Sequence, residues 1–211
     1  MPGFVAYCVV AIVNLVSAYF FKDTVRKVAK VALMPTLLVF YLIASTHVIW
    51  MVVVALIASW IGDIVLMSDN SPALFLAGLV AFLVGHLFYI STYLSLAGHI
   101  RVVPLILSLL VGTLVVIAYI RLLKPQGAMR IPSSAYACVI TLMSLTALQV
   151  LVARPGVATA ILFASSVVFV FSDALMGYLV FHGQPKYYYV ITMIPYILAQ
   201  GGIVMGLVLC H

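Results

Sequence analysis

The sequence predicts an all-α, polytopic membrane protein, a single-domain bundle of about eight transmembrane helices. One observation is bulk composition: of 211 residues, 67% are hydrophobic and 7% charged, with a mean hydropathy of +1.34. An ordinary soluble domain is about 45–50% apolar and about 25% charged, so that class is excluded. The other observation is spacing. Charges, prolines and glycines collect in short breaks, and about eight spans of roughly 20 residues would leave only about six residues for each connection. No second, soluble domain fits.

In order, the apolar segments cover about 4–21, 31–46, 48–67, 72–97, 102–121, 132–153, 156–181 and 187–210. The first begins almost at Met1 without the basic flank or cleavage site of a signal peptide, and is expected to persist as a span. The charged stretch from Lys22 to Lys30 reads as a loop before the second. The second and third are separated only by Thr46 and His47, where a re-entrant arrangement is the alternative. Trp50 and the run Tyr187, Tyr188, Tyr189 fall at helix ends, where aromatic side chains anchor at the membrane interface. Cys8, Cys138 and Cys210 lie apart in apolar runs and read as buried thiols without metal or redox spacing.

Positive charge accumulates in short cytoplasmic loops. The odd-numbered connections hold Lys22, Arg26, Lys27, Lys30, Arg121, Lys124, Arg130 and Lys186; the even ones hold only Arg101 and Arg154. Both termini are therefore expected away from the cytoplasm. The net charge of +6 then meets anionic headgroups, and nothing in it suggests nucleic acid.

Of four acids, Asp23 and Asp69 fall in loops, whereas Asp63 and Asp173 fall inside spans. An aspartate at a span's centre costs about 2.5–3.5 kcal/mol on insertion scales, so the second pair needs a reason. Each lies toward an odd-numbered connection, at depths of about 7 and 13 Å, and the two can share one cavity open to the cytoplasmic leaflet. Two carboxyls sharing a site titrate apart, which leaves one as acid while the other is ionised. That is the division acid/base catalysis requires. Alternatively each acid only fixes packing by capping a helix or pairing with Lys30, Arg130 or Lys186.

The aspartates also mark a faint duplication. Asp63-Ile-Val-Leu-Met67 answers to Asp173-Ala-Leu-Met176, 110 positions later, and 23 residues after each aspartate come His86 and Tyr196. This spacing suggests two parallel four-helix halves. Further polar groups at depth are Tyr89, Tyr136 and Gln200. Each reads either as glue between helices or as a contact to substrate.

At these residues the chain resembles the YhhN-like lysoplasmalogenase family of integral membrane hydrolases. The resemblance rests on five short motifs in order: Ala58-Ser59-Trp60-Ile61-Gly62-Asp63; Gly78, Phe82, Gly85, His86, Tyr89; Tyr136, Ile140, Met143, Ala147; Phe169, Ser172, Asp173; and Tyr196, Ala199, Gln200. Ala58 departs from the family's aromatic, Gly85 from its alanine, and the lysine-proline element is stretched between Lys30 and Pro35. The resemblance implies hydrolysis of the vinyl ether bond of a lysoplasmalogen to a fatty aldehyde and a glycerophospho-base. Asp63 and Asp173 would be the catalytic pair, and His86, Tyr89, Tyr136, Tyr196, Gln200 and Lys30 would bind the lysophospholipid or its water. No metal or other cofactor is required, and the short loops favour a bacterial plasma membrane over the endoplasmic reticulum.

Other readings use the same residues. A proton-coupled transporter or channel would need a path open to both faces. A metal-dependent hydrolase would join His86 to the two acids. An intramembrane aspartyl protease fails because Trp60 stands where G-x-G-D needs glycine. A purely structural bundle would gain stability on losing both acids.

Overall fold

A computed structural model describes residues 2–67, 71–123 and 129–210. The expectations attached to Met1, Asp69 and Lys124 lie outside the described residues. Eight helices follow one another: α1 Pro2–Tyr19, α2 Asp23–Ala44, α3 Trp50–Leu66, α4 Pro72–Ala97, α5 Val102–Leu123, α6 Arg130–Ala153, α7 Val157–His182 and α8 Tyr188–Leu209. Six are long and apolar enough to cross a membrane, while α1 and α3 are apolar but shorter. The chain is a multi-pass membrane protein.

The separation of α2 from α3 is a real turn, held because the Ile49 amide donates to the Tyr41 hydroxyl at 2.9 Å. The charged stretch before α2 departs from expectation, since residues 23–30 are helix rather than loop. Asp23 sits in the first turn and pairs with Arg26 and Lys27, three and four residues on, which supports the helix start electrostatically. The guanidinium of the buried Arg26 lies 3.6 Å from the centre of the Tyr189 ring. Packing thus draws the basic stretch into the bundle.

Pro35 has no backbone N–H, so the carbonyl of Val31 one turn earlier loses its helical donor. The Trp60 indole of α3 donates to that carbonyl at 2.9 Å. This bond ties α2 to α3 one residue from Lys30 and three from Asp63. It sets the register of the later ion pair.

The most extensive packing joins α3 to α4 and α7 to α8. Close approach explains it: a Cβ on Gly62 would meet the Phe82 ring at 2.6 Å, and one on Gly206 would meet the Leu162 backbone at 2.9 Å. The neighbours α1·α2, α2·α3, α3·α4 and α4·α6 map onto α5·α6, α6·α7, α7·α8 and α8·α2 when four is added to each number, cycling past eight. This is the pattern that two four-helix halves would give. The α1·α8 and α5·α7 contacts break it, having no α4·α5 or α1·α3 counterpart of similar extent. Cys8 and Cys210 are half-buried and Cys138 is exposed, so the expectation of three buried thiols is corrected. An apolar run has a lipid-facing side as well as a core side, and composition does not say which one a cysteine takes.

Candidate active site

The α3–α4 and α7–α8 hairpins face one another across a cavity of about 640 Å³. Asp63 comes from the last turn of α3 and Asp173 from the second half of α7, and both line this space. The two residues are 1% and 6% exposed. Leu66, Phe75, Leu79, Met176, Phe181 and Met193 make the walls apolar. Ser71, Met129 and Gln184 belong to the odd-numbered connections, so the mouth opens on that face.

Each carboxyl receives a tyrosine hydroxyl, from different helices. Tyr196 of α8 donates to Asp63 Oδ2 at 2.5 Å, and Tyr136 of α6 donates to Asp173 Oδ2. Beyond that the environments diverge. Lys30 Nζ of α2 lies 3.4 Å from Asp63 Oδ1, whereas Asp173 has no ion-pair partner among the described residues. The two carboxyls therefore have unlike surroundings over the same space.

Lys30, Asp63, Tyr136, Asp173 and Tyr196 all line the cavity; His86, Tyr89 and Gln200 do not. These last three lie deeper and are at most 1% exposed. His86 is enclosed by rings, with centroids of Phe169 at 4.7 Å, Tyr136 at 5.7 Å and Phe82 at 6.3 Å. Tyr89 stacks on Tyr93 at 6.0 Å. Both ring nitrogens of His86, the Tyr89 hydroxyl and both amide atoms of Gln200 are buried without hydrogen-bond partners among the described residues. Leaving such a group unsatisfied costs about 1–3 kcal/mol.

Arg130 and Lys186 are exposed and do not line the cavity, and Lys186 lies 5.3 Å from the centre of the Tyr187 ring. Among the described residues no three His, Cys, Asp or Glu side chains converge to hold a metal ion. Thr192, not singled out from the sequence, also lines the space, as do Ser172 of the α7 motif and Tyr189 of the aromatic run. Thr192 lies four residues before Tyr196 and shares its helix face, a signal that was present in the spacing.

Fold and site together define a class: multi-pass α-helical membrane proteins with paired buried carboxyls in a cavity open at one end. A family model described as the YhhN family matches residues 25–207, and the chain belongs to that family. The match takes in α2 to α8 almost completely, including Lys30, Tyr136 and Tyr196, which pair with or donate to the two carboxyls. No curated protein and no solved structure matches the chain.

Proposed function

We propose that the protein is a lysoplasmalogenase-like hydrolase that cleaves the vinyl ether bond of a lysoplasmalogen by carboxyl acid/base catalysis. One observation carries this reading: two buried carboxyls meet in one lipid-sized cavity, one beside an ammonium and the other beside a hydroxyl alone. Family membership supports it at the level of a membrane hydrolase.

The neutral Asp173 carboxyl donates its proton to the outer carbon of the double bond. The π electrons form that C–H bond, and a cation remains shared between the inner carbon and the ether oxygen. Carboxylate Asp63 stabilises that cation and accepts a proton from the attacking water, as in glycoside hydrolysis with two carboxyl groups. The resulting hemiacetal collapses. Its C–O bond to glycerol breaks as the glycerol oxygen takes the proton held by Asp63, and the hydroxyl proton passes to Asp173 as the aldehyde carbonyl forms. Net, one water is consumed and Asp173 is reprotonated.

The alkenyl chain lies along the apolar walls and the glycerophospho-base points to the mouth, on the cytoplasmic side if positive charge marks it. Lys30, with two further N–H donors, reaches toward the phosphate while holding Asp63 charged. The ring cluster of Phe82, His86, Phe169 and Tyr196 beneath the carboxyls supports a dead-end site over a transporter's through path. In the test, purified protein is given lysoplasmenylethanolamine or lysoplasmenylcholine and released fatty aldehyde is measured. Aldehyde release that depends on both aspartates is expected. Flux of a solute across liposomes without any aldehyde would overturn the reading.

A further inference from the structure

The proposed reaction consumes water, yet a lipid in the cavity fills the mouth with its headgroup and the walls with its chain. Bulk water then has no route from that side. The layer under the carboxyls offers another source. Gln200 lies one helical turn beyond Tyr196, about 6 Å deeper along α8. His86 lies one turn beyond Phe82 of the cavity floor on α4, and Phe169, whose ring touches His86 at 4.7 Å, lies one turn before Asp173 on α7. Three helices therefore put His86, Gln200 and Phe169 at a common level directly beneath the site.

That level is buried and its polar atoms are unmatched. His86 is 1% and Gln200 0% exposed, and neither ring nitrogen nor either amide atom has a hydrogen-bond partner among the described residues. Buried polar side chains are normally satisfied by protein or by ordered water. A ring that both donates and accepts, and an amide that does the same at that level, together match the bonding capacity of a water molecule. Neither residue lines the cavity, so the glycerol oxygens of a bound lipid do not reach them.

We propose that His86 and Gln200 bind a buried water one turn beneath Asp63 and Asp173, and that this water is the nucleophile of the reaction. It rests on the hydrolase reading above for its role, though not for its existence. The water attacks the cationic carbon from the side opposite the lipid mouth, its oxygen forming the new C–O bond and its proton passing to Asp63. His86 and Gln200 are then positioning residues that act through the water.

Two measurements test this. X-ray radiolysis of the intact protein in H₂¹⁸O labels side chains beside bound water, and mass spectrometry reads the label. Phe169 and Tyr89 are expected to take label at several times the rate of Leu33 and Phe40, and Gln200→Met is expected to lower the rate at Phe169. Label no higher than at Leu33 overturns the water site. In the second measurement, His86→Phe and the nearly isosteric Gln200→Met are expected to lower kcat by about 10²-fold with KM unchanged. An unchanged kcat in either folded variant overturns the role. A dry layer would instead make Gln200→Met more heat-stable with full activity. If wild-type protein takes the label but releases no aldehyde, the hydrolase reading falls while the water site stands.

Discussion

The α3–α4 and α7–α8 hairpins carry the same residue at positions 110 apart and treat it differently. Both bury an aspartate under one tyrosine hydroxyl. On α3 the carboxyl also meets Lys30, whereas on α7 it meets no cation among the described residues. The repeat mate of Tyr196 is His86, which does not reach Asp173; Tyr136 of α6 fills that place. The two hairpins thus present two acids to one space in unlike surroundings, one beside an ammonium and the other without a cation among the described residues.

The largest effect should come from erasing the pair. Asp173→Asn and Asp63→Asn are each expected to lower aldehyde release by about 10²–10⁴-fold while the protein elutes and melts as a folded bundle. Full activity in either variant would break the comparison. Next, Lys30→Met leaves Asp63 buried without its counter-charge, and an expected loss of about 3–5 kcal/mol in stability should be largely restored by adding Asp63→Asn. Thermal or denaturant unfolding of the single and double variants measures this. A loss that the second change does not restore would show that Lys30 stabilises by packing alone. Trp60→Phe removes the donor to the Val31 carbonyl, with an expected cost of about 1–3 kcal/mol and a drop in kcat through the displaced Lys30. Smallest of all, Lys186→Gln should leave kcat and KM unchanged, because that ammonium rests on aromatic rings outside the cavity.

The helices and the two acids were legible because the bilayer imposes them. Apolar runs must be long, and a buried carboxyl is costly enough to stand out at Asp63 and Asp173. The first turns of α2 were not, since a cluster of Lys and Arg resembles a loop until Asp23 and the Tyr189 ring are found to partner it. The pairing of Lys30 with Asp63 depends on the α2–α3 register, fixed by a proline in one helix and a tryptophan in the other. His86, Tyr89 and Gln200 were legible as buried polar residues on the correct faces. Their position below the cavity floor was not, because it depends on how rings from α4, α6, α7 and α8 pack against one another.

The shortness of α3 carries a last consequence. Its 17 residues measure about 26 Å against a hydrocarbon slab of about 30 Å, and Val54, Ile57, Ile61 and Ile64 leave one flank of it uncovered by protein. Lipid beside that flank has to thin to match it. A dimple in the leaflet there would lower headgroups toward the level of Asp63, shortening the distance that the proposed substrate would have to sink to bring its ether linkage level with the acids.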